Sequence, residues 1–324
     1  MKPTYSAGCG IVGAPSDVET GHVVLLPKGD RLAFPLRAVA APLVPPSDPA
    51  RPCHAFTVDV EDWYQSCVDY DAPITEQVVR NVDRVLAILD ECDVKGTFFV
   101  QGKVAEAFPG LVRSLVAGGH EVQSHGYSHR PLFGMDARAL RDELARAKQT
   151  VEDAAGIAVT AFRAQDFSIL AGNLFALETL AETGFEIDSS IFPMRSRHYG
   201  IAKWPLAPHY LVGDAFRILE VPVAVRRFAS GRIPVAGGGY FRLFPHSLIR
   251  AGLRSITASG RPAIVYCHPY EFNPDELAGY ADVSRRVLLS QGAGRRTFAR
   301  RMQSLLTTFS FGTLADVLDT WGVR

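Results

Sequence analysis

His54-Ala55-Phe56-Thr57-Val58-Asp59-Val60, followed at once by Glu61-Asp62, is a short apolar run rich in β-branched residues that ends in acids. It is predicted as a buried strand. A regular alternation of strand and helix begins with it. Residues 75–93 set Val78, Val82, Val85 and Leu89 at helical spacing behind Thr75 as N-cap. Gly96–Val100 reads as a second strand, Glu106–Ala117 as a helix closed by Gly118-Gly119, and Glu121–Ser124 as a third strand. Ala137–Ala155 is predicted as a long amphipathic helix, Ala161–Arg163 as a strand, and Asn173–Thr183 as a helix stopped by Gly184. Repeated β-α units of this length predict a mainly parallel sheet or barrel with helices outside.

The pattern differs on either side. Residues 1–50 are rich in Gly, Pro and Val, carry short extended runs such as His22–Leu26 before the turn Pro27–Asp30, and end in the proline-rich linker Pro42–Pro49. They are set apart as an N-terminal β-rich extension, with residues 51–324 as the main domain. Beyond Asp188 the helical rhythm breaks. Leu219–Val223 and Arg232–Val235 read as strands, Gly237-Gly238-Gly239-Tyr240-Phe241-Arg242-Leu243 as a flexible turn leading into aromatics, and Pro245–Ser259 as a helix. Ala263–Cys267 is a further buried strand that delivers His268, and helices over 297–306 and 313–321 cap the fold.

Composition narrows the class. Across 324 residues, 47% are hydrophobic, enough for a large core. Lys plus Arg equals Asp plus Glu at 34 each, so no net field draws the chain to nucleic acid or an anionic membrane. No run reaches the roughly 18 apolar residues of a membrane span, and the N-terminus lacks the apolar core of a secretory signal. These features give the expectation of a cytoplasmic protein with a neutral or small partner. The five cysteines, Cys9, Cys53, Cys67, Cys92 and Cys267, form no CxxC and are expected to be free thiols.

Chemistry enters at the strand ends. His125-Gly126-Tyr127-Ser128-His129 puts two imidazoles four residues apart. If the segment enters a helix, both reach one divalent ion. Asp59 with Glu61 and Asp62, Arg163 with Asp166, and His268 close three other predicted strands. In α/β proteins sites assemble at the C-terminal ends of parallel strands, so these groups are expected to converge.

Six motifs in order, Thr57–Asp62 (TVDVED), Ser124–His129 (SHGYSH), Arg163–Ser168 (RAQDFS), Asp188–Pro193 (DSSIFP), Gly237–Arg242 (GGGYFR) and His268–Glu271 (HPYE), resemble those of the polysaccharide deacetylase superfamily. This is the NodB-homology group, carbohydrate esterase family 4, and the resemblance is strongest to its exopolysaccharide-locus branch over about residues 54–275. It implies an α/β fold of the distorted (β/α) barrel type and a metal-dependent deacetylase. The substrate implied is an N-acetylated amino sugar or a sugar-containing small molecule. The resemblance makes Asp59 the general base, His268 the acid that protonates the departing amine, Arg163 the residue orienting Asp59, and Asp188 the acid that tunes the histidine. It implies one divalent metal, with zinc first and Co, Ni, Mn or Fe also compatible, held by His125, His129 and a carboxylate.

Glu61, two residues beyond Asp59 and therefore on the same strand face, is the first choice for that carboxylate, with Asp62 as its alternative. Two departures stand out. The family's Arg-Ala-Pro-Ser-Phe-Ser is Arg163-Ala164-Gln165-Asp166-Phe167-Ser168 here, and its Pro-Trp-Glu is Pro269-Tyr270-Glu271. Gln165, Asp166 and Phe167, together with Tyr240 and Tyr270, are therefore the candidate substrate-binding residues. Deacylation of a non-sugar amide, or a carbohydrate-binding relative without turnover, are the alternatives.

Overall fold

The computed structural model describes residues 24–25, 36–48, 50–196, 199–228, 231–280 and 282–323. The strand His54–Val60 lies at its centre, every residue buried. It pairs in parallel with Thr97–Val100 on one side and with Ala263–Cys267 on the other. From Thr97–Val100 the parallel ladder continues through Glu121–Ser124, Ala161–Phe162, Ile187–Asp188 and Arg217–Glu220. The chain beyond Glu220 then returns to the start, because Ala224 N–H donates to the Ile264 carbonyl at 2.8 Å. The parallel strands so form a distorted (β/α) barrel whose last seam is held by an isolated backbone bond rather than a full ladder.

Side chains alternate between the two faces of each strand, and this divides the core in two. Ala55, Phe99, Ala161, Ile187, Leu219 and Ile264 fill the barrel's interior together with Leu314, Val317, Leu318 and Trp321. The final helix, Leu314–Thr320, thus plugs one end, tied there by Leu314 N–H donating to Thr97 Oγ1 at 2.7 Å. Phe56, Val58, Val60, Phe98, Val100, Val122 and Phe162 face outward and meet the helices, among them Val78, Val82, Val85 and Leu89 of Gln77–Glu91. With the lower interior closed by apolar residues, the polar inward positions Thr57, Asp59 and Arg163 collect toward the opposite mouth.

Several elements differ from the sequence reading. The helix predicted over 106–117 is two helices, Gly102–Ala107 and Pro109–Ala117, with Phe108 between them at φ −132°, ψ 61°. Pro109 has no N–H to continue the first helix and bars the residue before it from helical geometry. Gly237–Leu243, expected to be a flexible turn, is a helix from Gly238 to Leu243. His209–Val212 and a helix at Arg285–Gly292 had no prediction. The N-terminal segment is not wholly apart from the barrel. Arg37–Ala40 pairs antiparallel with His209–Val212, which pairs antiparallel with Arg217–Glu220, and Leu36 and Ala38 enter the core. The strand expected over His22–Leu26 lies outside the described residues except for Val24–Leu25, as do Cys9 and the turn at Pro27–Asp30. No helix of the described residues is long and apolar enough to cross a membrane.

Candidate active site

The histidine pair does not ride on a helix. His125–His129 follows the strand Glu121–Ser124 as an irregular loop, in which Gly126 (φ +71°) and His129 (φ +65°) turn the chain back on itself. The helical condition under which the two rings would share a face is not met, yet both rings still face one point. Glu143, from the helix Ala137–Ala155, holds the loop. Its Oε1 accepts Tyr127 N–H at 2.9 Å, Ser128 N–H at 2.7 Å and the Ser128 hydroxyl at 3.0 Å. A side chain at position 126 would put its Cβ 2.6 Å from Gln165 Oε1, so glycine is required there for space as well as for φ.

Three ligand atoms, one each from Glu61, His125 and His129, lie within 4.8 Å of one another, and all three residues are buried. Glu61 Oε2 lies 3.4 Å from His125 Nε2 and directly against His129 Nε2. His125 Nδ1 is 2.9 Å from the Arg163 carbonyl, which fixes its proton on Nδ1 and leaves Nε2 with a free lone pair. Glu61 Oε2 is buried and takes no hydrogen bond. A buried carboxylate oxygen without a donor, aimed at two imidazole nitrogens, is the arrangement that a divalent cation satisfies. The donor set of two imidazoles and one carboxylate fits such an ion.

Asp62 is committed elsewhere. Its Oδ1 caps the helix Trp63–Cys67 by accepting Tyr64 N–H at 3.0 Å and Gln65 N–H at 3.2 Å, and its Oδ2 accepts Thr75 N–H at 3.0 Å and Thr75 Oγ1–H at 2.6 Å. Four donors saturate the carboxylate, so the alternative ligand assignment is corrected to a structural one.

Asp59 and Arg163 form a buried ion pair, Nη1 to Oδ1 at 2.8 Å. The same Nη1 donates to Thr57 Oγ1 at 2.6 Å, Nη2 to Ser189 Oγ at 3.0 Å and Nε to the Ser189 carbonyl at 3.3 Å. The guanidinium also lies over the Phe99 ring, 4.2 Å from its centroid. Asp59 thus has one fixed orientation.

His268 Nε2 is 3.8 Å from Glu61 Oε1, and its Nδ1 is 3.3 Å from Glu271 Oε2. The ring is part-exposed, with 22% of the side chain accessible, so it faces the mouth. Burial works against a charged imidazole, but the Glu61, Glu271 and Asp59 carboxylates outweigh it and raise His268 to about 9. In Glu61, burial pushes the carboxyl up; the neighbouring His129 and His268 more than reverse this and hold it well below the ordinary range.

Asp188 is not the acid beside His268. It pairs with Phe162 on one side and Glu220 on the other, whereas Arg163, one residue on from Phe162, points inward. Alternation therefore turns Asp188 to the outer face, where its carboxylate meets Ser190 and Glu220. The candidate substrate residues separate likewise. Gln165 is fully buried and donates to the Arg130 carbonyl at 2.6 Å, so it packs the histidine loop. Phe167 is buried in an aromatic cluster with Phe192, Tyr199 and Tyr266. Tyr240 points its hydroxyl at that of Tyr199, 3.2 Å away. Tyr270 is buried, stacks flat on His268 and donates to Glu61 Oε1 at 3.0 Å, which makes it a support of the site rather than a sugar-facing wall. Asp166 alone is exposed, at φ +54°. Thr57, Ser189 and Glu271 carried no assigned role in the sequence, and of these Glu271 had a usable signal, an acid three residues after His268 across a proline.

The chain is similar to known proteins in two segments. Residues 62–170 match the family described as polysaccharide deacetylase, and residues 189–319 match a domain of unknown function, DUF3473. A peptidoglycan deacetylase of Helicobacter pylori is 30% identical over 149 residues, 42% of this chain and 48% of that protein. A chitooligosaccharide deacetylase of a Bradyrhizobium strain is 36% identical over 70 residues, 22% of this chain and 32% of that protein. The chain thus spans half or less of the length of these relatives. Among solved structures, a Mycobacterium smegmatis protein assigned to the polysaccharide deacetylases superposes with a TM-score of 0.59 at 23% identity, covering 88% of this chain and 95% of that one. An allantoinase superposes equally well, with a TM-score of 0.59 at 14% identity over 87% and 94% of the two chains, so the likeness of structure speaks for the fold. With the motif order and the matched family model in agreement, the chain is similar to the NodB-homology superfamily of polysaccharide deacetylases, and residues 62–170 carry that match.

Proposed function

We propose that the protein is a divalent-metal-dependent hydrolase that removes the acetyl group from an N-acetylated amino sugar. The observation that carries this reading is the convergence, at one barrel mouth, of the Glu61–His125–His129 cluster, the Asp59–Arg163 pair and the part-exposed His268. A divalent ion bound by the three ligands supplies Lewis acidity toward water and the amide carbonyl. Asp59 is the proton acceptor. Its carboxylate is held by Arg163 and pointed into the mouth. His268 carries the proton that the departing amine requires, since an amide nitrogen leaves only once protonated. It reaches the mouth from another strand than Asp59, so one group takes a proton while the other gives one. The names of the sequence relatives, which are deacetylases of peptidoglycan and chitooligosaccharide, support an amino sugar as the substrate class.

Acetate release is the test. The purified protein, loaded with zinc, is incubated with N-acetylglucosamine oligomers, peptidoglycan fragments and nucleotide-linked N-acetylamino sugars. Metal-dependent release from any of these that is abolished in Asp59→Asn is expected. Release unaffected by chelation and by Asp59→Asn would overturn the reading.

A further inference from the structure

We propose that the turn Pro269–Phe272 positions both the proton-donating and the metal-binding ends of the site, and that Gly238, Arg242 and Arg295 hold this turn. The inference rests on the deacetylase reading and assigns a role to residues 189–319, which match a domain of unknown function.

Glu271 touches His268 twice. Its Oε2 lies 3.3 Å from the imidazole Nδ1 and accepts the backbone N–H of His268 at 3.1 Å, which aims Nε2 at the mouth. Tyr270, its neighbour in the same turn, lies parallel to the His268 ring, with centroids 4.9 Å apart and planes 5° apart, and donates its hydroxyl to Glu61 Oε1 at 3.0 Å. One turn of four residues therefore fixes the ring of His268 and the carboxylate of Glu61.

The turn is itself held from outside. Arg242 Nε donates to Glu271 Oε1 at 2.8 Å, and its Nη1 donates to the carbonyls of Gln291 and Ala293 at 2.5 and 3.0 Å. Arg295 Nη1 donates to the Tyr270 carbonyl at 2.8 Å, with its guanidinium 5.2 Å from the Tyr270 ring centroid. Two of the three glycines before Tyr240 also find a reason. A Cβ at Gly238 would fall 1.4 Å from Glu271 Oε2, and one at Gly237 would fall 2.5 Å from Tyr266 Oη. Gly238 must lack a side chain for Glu271 to reach His268. A purely structural Arg–Glu pair requires neither the Nδ1 contact nor the stacked, hydroxyl-donating tyrosine.

Two readouts test the clamp. In Tyr270→Phe, which keeps the ring and removes only the donor to Glu61, zinc affinity measured by titration of the metal-free protein is expected to fall about 10- to 100-fold. In Glu271→Ala and in Gly238→Ala, kcat on an N-acetylated amino sugar is expected to fall about 100-fold, within the range of general-acid contributions. The loss on 4-nitrophenyl acetate, whose phenolate leaves without a proton, is expected to be at least tenfold smaller. Glu271→Gln, which keeps the side chain's volume, is read in the same way if Glu271→Ala does not fold. Equal losses on both substrates, or wild-type zinc affinity in Tyr270→Phe, would overturn the inference. A wild-type protein that hydrolyses the aryl ester but no N-acetyl sugar would instead overturn the deacetylase reading and leave the zinc result standing.

Discussion

Arg163 donates to Asp59 at 2.8 Å through its guanidinium while its backbone carbonyl accepts a hydrogen bond from His125 Nδ1–H at 2.9 Å. One residue therefore orients both the proposed proton acceptor and a proposed metal ligand. Arg163→Met should leave the Asp59 carboxylate buried without its counter-charge, at a cost of about 3–5 kcal/mol in unfolding free energy. Arg163→Lys keeps the charge but cannot reach Asp59, Thr57 and Ser189 at once, since an ammonium lacks the planar fork. Urea denaturation reads the first effect. If Arg163→Lys retained both stability and full acetate release, the orienting role would be lost.

Glu61 and Asp62 are adjacent acids with opposite duties, and substitution separates them. Glu61→Gln should lose stoichiometric zinc, because a carboxamide is a poor anionic ligand. Asp62→Ala should keep one zinc per chain and lose about 1–2 kcal/mol of stability, from the cap on Trp63–Cys67 and the bonds to Thr75. Metal content and denaturation midpoints of the two variants check the assignment; zinc lost from Asp62→Ala and kept by Glu61→Gln would reverse it.

Gly126 is a third point of leverage. Gly126→Ala places a methyl group against Gln165 Oε1 at a positive φ, and should weaken zinc binding together with a loss of about 1–3 kcal/mol. Gly134→Ala is the control: nothing lies within 4 Å of its added Cβ, so stability should stay within about 0.5 kcal/mol. Equal behaviour of the two alanines in zinc titration would show that the loop tolerates displacement.

The elements that could be read in the sequence were those set by local pattern. His54–Val60 announces itself because a buried parallel strand is apolar throughout, and the helices because one face repeats every third or fourth residue. The two histidines were legible from spacing, but their loop geometry was not, because it depends on Gly126 and His129 at positive φ and on Glu143 from another helix. The misplacement of Asp188 has a similar cause. Whether a residue at the end of a two-residue strand faces in or out is decided by its register with neighbouring strands, which no local pattern carries. Asp62 looked like a ligand because its partner Thr75 is thirteen residues on, past the helix it caps. The role of Glu271 depends on Arg242 and Gly238, about thirty residues earlier, and becomes visible only when the two segments meet.

The outward pair of Asp188 and Glu220 leads to a prediction about pH. Burial, and then the neighbouring Asp188 carboxylate, push Glu220 well above the ordinary glutamate value of 4.5; burial also raises Asp188. A carboxyl whose pKa is higher in the folded than in the unfolded state binds more protons when folded, so its contribution to stability falls as pH rises from about 4.5 toward its folded value. The slope for one such group is at most about 1.4 kcal/mol per pH unit. Glu220→Gln removes the titration and still offers an oxygen to Ile191 N–H, which Glu220 Oε1 accepts at 3.2 Å. The variant should therefore gain stability relative to wild type as pH is raised from 5 to 8. Taking the difference between the two proteins cancels the pH dependence of the histidine site, which both share. Denaturation curves for wild type and Glu220→Gln at pH 5, 6.5 and 8 make the comparison, and parallel pH dependences would mean that the pair carries no shared proton.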